Sequence, residues 1–234
     1  MIKTVLIGLG NVGTNYKNYN KSKGNKIVRN HLDAILKVKE FKIIGLIDKD
    51  KKKKLKLNKS LSKYFFLNIS YLSEKNIDLA VVASSTHSHY EIVLQLIKRK
   101  VPYILVEKPI TASLEQALHV ETIAKKYNTK IYINFNRRYD PNFVNIKKNY
   151  KEKPKLIIFR YSKGLFNYGS HFIDFVIDLY GEIVKVKSID INDKKRIEKK
   201  DPQISFSMIT KSNIKIKCIS TEQTNYDQFE IDLF

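Results

Sequence analysis

Residues 5–13 read Val-Leu-Ile-Gly-Leu-Gly-Asn-Val-Gly, an apolar run that leads directly into three glycines spaced Gly8-x-Gly10-x-x-Gly13. This order is typical of a β-strand followed by a tight turn that holds the pyrophosphate of a dinucleotide. Gly8 allows the turn, Gly10 lets the backbone approach the phosphates, and Gly13 lets the next helix pack closely on the strand. Glycine-rich turns are common, so the segments around this one decide whether it has that role.

The composition is that of a globular protein with a sizeable core. The chain has 234 residues, of which 43% are hydrophobic and 11% aromatic. Its single cysteine, Cys218, cannot form an internal disulfide, which suits a reducing compartment. No apolar run reaches the roughly 18 residues that span a bilayer, and the first strand is predicted to start at Ile2, with no targeting segment before it. We therefore expect a cytoplasmic protein with no membrane partner.

The formal net charge of +21 raises the question of nucleic-acid binding. Only 6 of the 44 basic residues are arginines, and the chain has 31 Ile and 19 Asn against 6 Ala. This bias is what an AT-rich genome would favour, and arginine is the residue suited to bidentate phosphate and base contacts. We therefore expect no nucleic-acid partner and interpret the lysines as solvated surface. Attraction for an anionic substrate or a polyanion is the alternative.

The first 136 residues alternate short apolar runs with helical stretches, which predicts βαβ units and a doubly wound parallel sheet of the Rossmann type. The predicted strands are residues 4–7, 42–47, 79–83, 103–106 and 130–134. Helices are predicted over residues 90–99 and 114–127, the second with Ser113 as N-cap and Gln116 completing a capping box. The polar stretch 16–30 is predicted to be a surface insertion.

After about residue 136 the pattern changes. A helical stretch to about residue 151 precedes a strand at 155–161 and a helix at 171–180, with Ser170 as N-cap and Gly181 after its end. Four later runs alternate apolar and polar residues, which predicts a mostly antiparallel, open sheet with one wet face: 183–191, 203–210, 214–221 and 228–233. The fold class is therefore α/β, with a dinucleotide-binding domain over residues 1–136. A smaller α+β domain for substrate binding and oligomerisation follows over residues 137–234.

Asp48 ends the second predicted strand, in the sequence Ile-Ile-Gly-Leu-Ile-Asp. A carboxylate there can accept hydrogen bonds from the adenosine ribose hydroxyls and would repel a 2′-phosphate, so it favours NAD over NADP. It lies further from the glycines than the usual spacing of about 20 residues, and the predicted insertion accounts for the excess. The alternative is a turn aspartate with no ligand.

Glu107-Lys108-Pro109 follows the strand predicted at 103–106. In a doubly wound fold, ligands bind beyond the carboxyl ends of the strands, so Lys108 is expected to point towards the crevice. Pro109 restricts the backbone of Lys108 to extended geometry and permits a cis bond. A cationic nicotinamide nearby would disfavour the charged lysine, which suits it to general acid–base chemistry. The alternative is a surface Lys-Pro turn.

These features occur in one order: the glycine turn, Asp48, Glu-Lys-Pro at 107–109 and Tyr-Gly-Ser-His-Phe-Ile-Asp at 168–174. As a set they resemble the glucose–fructose oxidoreductase/inositol dehydrogenase (Gfo/Idh/MocA) family. Further matches are Ala-Ser-Ser-Thr-His-Ser-His-Tyr-Glu at 83–91 and Asn-Phe-Asn-Arg-Arg-Tyr-Asp-Pro at 134–141. The resemblance runs to about residue 185. The sequence of residues 161–171 looks most like that of family members associated with surface-polysaccharide sugar metabolism.

The resemblance implies hydride transfer between NAD(P) and a secondary hydroxyl or ketone of a sugar, cyclitol or nucleotide sugar. By position, Lys108 is the catalytic lysine that exchanges the hydroxyl proton, and His171 is the second acid/base or orients the substrate. The implied substrate contacts are Lys108, Arg138, Asn167 and His171, with Arg137 also near the substrate entrance. The implied cofactor contacts are Gly8, Gly10, Asn11, Val12, Gly13, Asp48, Ser84, Ser85, Thr86, His89, Glu107 and Lys108. A homo-oligomer through the C-terminal sheet is expected as well.

The sequence departs from the family in two ways. The family usually has an aspartate four residues before the histidine, where this chain has Asn167, and an amide can orient a hydroxyl but cannot take its proton. Members of the family also typically continue further, completing the sheet and returning a helix to the first domain. The chain is therefore either a compact variant or a truncated product. The alternative function is that of a non-catalytic NAD-binding protein.

The remaining histidines are not expected to bind metal. His87 and His89 are two residues apart, but the sequence offers no third ligand at a spacing typical of zinc sites. His31 and His119 are interpreted as structural. Asp174 lies one turn after His171, where it either orients that ring or is a carboxylate on the helix surface.

Overall fold

The structure is a computed structural model that describes residues 1–14, 28, 30–73, 76–149, 152–188, 201–221 and 227–234. It divides into two compact units, Met1–Asn134 and Phe135–Phe234. The predicted division was after residue 136. The surface insertion predicted at 16–30 lies outside the described residues except for residues 28 and 30, and so does the end of the run predicted at 183–191.

The strands of the first unit are β1 (Ile2–Ile7), β2 (Phe41–Ile47), β3 (Phe65–Phe66), β4 (Leu79–Val82), β5 (Tyr103–Glu107) and β6 (Lys130–Asn134). They form one sheet in the order β3-β2-β1-β4-β5-β6, and every neighbouring pair is parallel. This confirms the predicted doubly wound Rossmann sheet. Strand β3 was not predicted, because two residues are too short to show a periodic pattern.

The helices of the first unit are α1 (Asn11–Thr14), α2 (His31–Lys37), α3 (Lys59–Ser62), α4 (Thr86–Lys98) and α5 (Leu114–Tyr127), with 3₁₀ turns at Lys51–Lys56 and Ile69–Tyr71. Helix α5 has its predicted bounds, and Ser113 Oγ accepts a hydrogen bond from the amide of Gln116 at 3.2 Å. Helix α4 begins four residues earlier than predicted, because its first four residues are polar or ambiguous and hide the helical period.

Helices cover both faces of this sheet. Val5 and Leu6 are adjacent in β1, so they point to opposite faces, yet they are only 0% and 1% exposed. Val5 packs in a cluster with residues of α4 and α5, whereas Leu6 packs in a second cluster with residues of α2. The carboxyl ends of the strands are thereby left as the edge at which Gly8, Asp48 and Lys108 emerge.

The strands of the second unit are β7 (Leu156–Tyr161), β8 (Ile183–Ser188), β9 (Phe206–Thr210), β10 (Lys215–Ser220) and β11 (Phe229–Leu233). Their order is β11-β7-β10-β9-β8, and the pair β7–β10 is parallel while the other pairs are antiparallel. The predicted open and mostly antiparallel sheet is confirmed. A 3₁₀ turn (Asn136–Tyr139), α6 (Pro141–Asn149), a π-helical turn (Gly164–Gly169) and α7 (Ser170–Tyr180) complete the unit.

The core of the second unit is aromatic. Phe159 in β7 stacks on Phe172 of α7 with ring centroids 4.1 Å apart, and both side chains are fully buried. Phe159 also stacks on the buried Tyr161, with centroids 5.0 Å apart. The contact between Phe159 and Phe172 holds α7 against the sheet.

The predicted N-cap at Ser170 is wrong. The chain is already helical before it, because the turn Gly164–Gly169 precedes α7 without a break and Gly169 has right-handed helical angles. The hydroxyl of Ser170 instead donates to the carbonyl oxygen of Phe166 at 2.6 Å. Gly181 does follow the end of α7, with a φ of +87°.

Candidate active site

The glycine turn after β1 is shaped by contacts that leave no room for a side chain at two of its three glycines. Gly8 has a φ of +93°, and a Cβ there would lie 2.5 Å from the backbone of Ala83 and Ser84. A Cβ on Gly13 would overlap the carbonyl oxygen of Gly8. At Gly10, no atom lies within 4 Å of the Cβ position. The turn is thus closed at two glycines and open at the third, the fit that a dinucleotide pyrophosphate requires.

Two backbone amides hold the carboxylate of Asp48 beside this turn. Oδ2 accepts a hydrogen bond from the amide of Leu9 at 2.8 Å, and Oδ1 accepts one from the amide of Asp50 at 2.9 Å. The bond to Leu9 ties the end of β2 to the glycine turn. Each carboxylate oxygen retains a lone pair, so ribose hydroxyls could still donate to Asp48.

A cavity of about 330 Å³ opens along this edge of the sheet, which is within the range of small-molecule sites (about 300–1,000 Å³). Five predicted cofactor residues line it, namely Gly8, Gly10, Asp48, Ser84 and Ser85. The other predicted cofactor residues do not belong to its lining: Asn11, Val12, Gly13, Thr86, His89, Glu107 and Lys108.

Sequence reasoning missed five polar or charged residues of the same cavity: Lys49, Lys53, Asn68, Ser88 and Gln95. A signal for two of them exists in the sequence. Ser88 and Gln95 are seven residues apart in α4, so they share one helix face with Ile92, which also lines the cavity. Polar residues on an otherwise apolar helix face are a signal for a binding site when the helix follows a strand. Ser88 and Gln95 could have been predicted to line the cavity on that basis.

His89, which was predicted to contact the cofactor, links two loops. It is 1% exposed, and its Nδ1 lies 2.9 Å from the carbonyl oxygen of Pro109, while its Nε2 lies 3.0 Å from that of Ser84. The ring therefore connects the loop after β4, which lines the cavity, to the turn after β5, which carries Lys108.

The end of β5 is held by the side chain of Glu107. Its Oε1 lies 2.7 Å from Nε2 of His31 and accepts a hydrogen bond from Nδ2 of Asn134, also at 2.7 Å. Burial opposes ionisation of this carboxyl, but the hydrogen bonds from His31 and Asn134 outweigh it, so the pKa of Glu107 lies below its ordinary value. Glu107 thus anchors the strand end next to the half-buried Lys108, whose bond to Pro109 is cis.

In the second unit, His171 and Arg138 lie around the first turns of α7. His171 is 8% exposed, and its ring meets that of Phe135 edge-on with centroids 6.3 Å apart. Arg138 donates from Nε and Nη2 to the two carboxylate oxygens of Asp174, at 2.8 and 2.6 Å. Asp174 is 8% exposed, so the alternative of a carboxylate on the helix surface is wrong; the arginine compensates its burial.

Asn167 lies in the π-helical turn, which Asp201 holds in place. The carboxylate of Asp201 accepts hydrogen bonds from the amides of Phe166 at 2.7 Å and Asn167 at 3.1 Å. It also lies against Gly164, where a Cβ would overlap it. Sequence reasoning missed Asp201, because it lies more than thirty residues away in the chain.

Arg137, which was expected near the substrate entrance, packs on aromatic rings. Its guanidinium lies 4.0 Å from the ring centroid of Phe229 and 5.4 Å from that of Tyr168. Of the predicted catalytic and substrate residues, Lys108 belongs to the first unit, and Arg138, Asn167 and His171 belong to the second.

The described residues contain no cluster of three or more His, Cys, Asp or Glu side chains arranged to hold a metal ion. None of the helices in the described part of the chain has the length and apolar character needed to cross a membrane.

The fold and the glycine turn define an NAD-binding Rossmann protein, and comparison with known families agrees. Residues 2–135 match the model of the family GFO_IDH_MocA, described as an oxidoreductase family with an NAD-binding Rossmann fold. The chain belongs to this family, whose members are NAD(P)-dependent dehydrogenases. The resemblance inferred from the ordered motifs is thereby confirmed.

Two curated relatives are sugar or cyclitol dehydrogenases. A myo-inositol 2-dehydrogenase of Thermotoga maritima is 30% identical over 142 residues, which are 61% of this chain and 38% of that protein. A glucose-6-phosphate 3-dehydrogenase of Bacillus subtilis is 30% identical over 123 residues, 53% of this chain and 34% of that protein. The matched segments therefore span little more than a third of these relatives.

Among solved structures, an oxidoreductase from Agrobacterium radiobacter in complex with NAD+, L-tartaric acid and magnesium has a TM-score of 0.77 to this chain. The two are 16% identical, and the alignment covers 99% of this chain and 71% of that one. The likeness shows a shared fold over both units of the chain.

Proposed function

We propose that this protein transfers a hydride between NAD and a secondary hydroxyl or ketone of a sugar, cyclitol or nucleotide sugar. The observation that carries the proposal is the cavity at the carboxyl edge of the first sheet, where the open position at Gly10 and the carboxylate of Asp48 lie together. The names of the two curated relatives support a polyhydroxylated substrate.

The residues of the cavity have distinct roles in this proposal. The backbone at Gly10 contacts the pyrophosphate, and the carboxylate of Asp48 accepts hydrogen bonds from the hydroxyls of the adenosine ribose. Ser84 and Ser85 line the same cavity. Bound NAD supplies a nicotinamide ring that accepts or donates the hydride. Asp48 favours NAD over a cofactor with a ribose phosphate.

Lys108 is the proposed proton-transfer residue. Its Nζ takes the proton of the substrate hydroxyl when an alcohol is oxidised and returns it when a ketone is reduced. Support comes from how firmly its backbone is held: Glu107 on one side is bound by His31 and Asn134, and the carbonyl of Pro109 on the other contacts His89.

Three residues of the second unit have proposed substrate roles. His171 acts as the second acid/base or orients the substrate, and the amide of Asn167 positions a hydroxyl by hydrogen bonding without taking its proton. Arg138 is held in a fixed orientation by the two oxygens of Asp174. An arginine oriented in this way suits a substrate with anionic or hydroxyl groups.

Replacement of Lys108 tests the assignment. We expect Lys108→Ala to leave the affinity for NAD+ within about twofold but to lower turnover of myo-inositol or glucose 6-phosphate by about 10²- to 10⁴-fold, the usual contribution of a general acid–base group. Lys126→Ala, an exposed lysine in the last turn of α5, is the matched control and should keep full turnover. Equal turnover of the two variants would contradict the role of Lys108.

A second candidate, a non-catalytic NAD-binding protein, is favoured by one observation. Asn167 cannot accept a proton where the family usually has an aspartate. If the unmodified chain binds NAD+ in calorimetry but turns over no member of a panel of polyols, sugar phosphates and nucleotide sugars, this candidate is correct.

The homo-oligomer expected through the C-terminal sheet stays a prediction. Strand β8 is an edge of that sheet, and its Val184 and Val186 are 57% and 65% exposed. Exposed edges with apolar side chains favour association. The molar mass in solution, measured by light scattering, tests it.

A further inference from the structure

His31 joins two elements of the first unit that are far apart in the sequence. It is the first residue of α2, and its contact, Glu107, is the last residue of β5, 76 positions later. Nε2 of His31 lies 2.7 Å from Oε1 of Glu107, within the range of a charge-assisted hydrogen bond. The two side chains are only 12% and 16% exposed, so salt in the solvent screens their interaction little.

The start of α2 fixes the position of His31. Asn30 caps the helix, because its side-chain oxygen accepts a hydrogen bond from the amide of Asp33 at 2.8 Å. Nδ2 of Asn30 donates in return to Oδ2 of Asp33 at 3.0 Å. Leu32 and Ile35 are buried in the cluster that packs this helix on the sheet. The imidazole is therefore held by a helix start that is both capped and packed.

The carboxylate of Glu107 accepts hydrogen bonds from three groups. Besides His31, Nδ2 of Asn134 donates to Oε1 at 2.7 Å, and the backbone amide of Lys108 donates to the same carboxylate. Burial opposes ionisation, but these hydrogen bonds outweigh it, and the pKa of Glu107 lies below its ordinary value. Because an ionised carboxylate only accepts hydrogen bonds, Nε2 of His31 carries the hydrogen that the two side chains share.

The three donors to Glu107 belong to two different layers of the unit. Asn134 lies opposite Glu107 in the pair β5–β6, and Lys108 is the next residue of the chain, so both donors lie at the sheet edge itself. His31 donates from the helix layer that covers one face of the sheet. Without it, the carboxylate is held only at the sheet edge among these three donors, and rotation of its side chain releases the amide of Lys108.

We propose that His31 is a positioning residue for the proton transfer, because its hydrogen bond to Glu107 holds the carboxylate that fixes the backbone of Lys108. The inference rests on the proposed function, since it concerns the residue to which proton transfer is assigned. His31 acts through Glu107 and narrows the positions open to Nζ of Lys108. Misplacement of a reacting group by about 1 Å lowers a rate by up to about 10²-fold. Loss of His31 should therefore affect turnover more than binding.

Steady-state kinetics of the full chain and calorimetry with NAD+ test this role. His31→Ala removes the donor and should lower kcat for myo-inositol or glucose 6-phosphate by about 10- to 100-fold. The KM of that substrate and the dissociation constant of NAD+ should change less than about twofold, because the lost interaction acts on the transition state. His31→Gln keeps an N–H donor on a side chain of similar reach and should restore kcat to within about threefold of the unmodified chain.

His119→Ala is the matched control. It removes an exposed imidazole from α5 that also makes one side-chain contact, with Nδ1 2.6 Å from the hydroxyl of Tyr90. It should keep full turnover, because this contact lies between α4 and α5 and does not involve Glu107.

Hydrogen exchange of the chain without cofactor, followed by NMR, gives a readout that does not depend on activity. The backbone amide of Lys108 should exchange at least about tenfold faster in His31→Ala than in the unmodified chain, because the carboxylate that accepts its hydrogen bond is held less firmly. The amide of Val106, which lies inside β5, should change less than about twofold in the same variant.

Four results would overturn the inference and leave the proposed function intact. They are full turnover by His31→Ala, an equal loss of turnover in His31→Ala and His119→Ala, no recovery in His31→Gln, and an unchanged exchange rate of the Lys108 amide. Absence of turnover by the unmodified chain would overturn the proposed function and this inference with it.

Discussion

The cavity of the first unit and the polar groups around α7 of the second unit are built from different kinds of contact. In the cavity, the decisive features are missing side chains at Gly8 and Gly13 and a carboxylate held by backbone amides. Around α7, a side-chain pair, Arg138 with Asp174, provides the organisation. The first region should therefore be sensitive to added atoms and the second to removed ones.

The largest effect is expected from adding one methyl group at Gly13. A Cβ there overlaps the carbonyl oxygen of Gly8, and both partners are backbone or attached to it, so relief requires the turn to move. We expect Gly13→Ala to lower the free energy of unfolding by about 3 kcal/mol, at the upper end of the cost of overpacking. Urea denaturation measures this value.

Gly10→Ala is the control in the same turn, since its Cβ meets no atom within 4 Å. Its free energy of unfolding should change by less than about 1 kcal/mol, because exchanging glycine for alanine at a position without steric conflict has an effect of at most about this size. If the two variants were equally stable, the close approach at Gly13 would not be what shapes the turn.

A smaller loss is expected from removing atoms near α7. Arg138→Met leaves the carboxylate of Asp174 buried without the two donors that now satisfy it, and we expect a loss of about 2 kcal/mol. Lys147→Met removes one of two ion-pair partners of Asp178, the other being Arg138. The Lys147 side chain is 56% exposed, so this change should cost less than about 0.5 kcal/mol. Similar losses in both variants would remove the distinction between a buried and a surface pair.

The smallest effect concerns the pH dependence of the first unit. The pKa of Glu107 lies below its ordinary value of 4.5 in the folded state, so the carboxylate stabilises the fold fully above that value. This stabilisation is lost as the pH falls through the folded-state pKa, because the unfolded chain takes up the proton first. Glu107→Gln should therefore show a shallower loss of stability below pH 4.5 than the unmodified chain.

Glu121→Gln is the matched control for Glu107, because its side chain is 58% exposed and its carboxylate pairs with Lys125 one turn further along α5. Denaturation midpoints measured from neutral pH to below 4.5 should fall in parallel for this variant and the unmodified chain. A parallel fall for Glu107→Gln as well would show that the contacts to His31 and Asn134 do not favour the ionised form.

The parts of the molecule that could be predicted from sequence are those fixed by local chemistry. The glycine turn, the continuous apolar strands and the capped helix α5 each depend on residues within one short segment. The π-helical turn could not be predicted, because it depends on Asp201, which reaches it from a distant part of the chain. Likewise, Lys53 looks like one solvated lysine among four until the capped 3₁₀ turn fixes which of them lines the cavity.

Titration of NAD+ into the unmodified chain and into Gly10→Ala, with the thermal midpoint of each, tests most directly whether the open position of the glycine turn holds the cofactor. We expect the unmodified chain to bind NAD+ and Gly10→Ala to bind it at least about tenfold more weakly, because the added methyl group occupies space that the pyrophosphate needs. The thermal midpoints should agree within a few degrees. Equal affinity of the two proteins for NAD+, or no binding by either, would contradict the assignment.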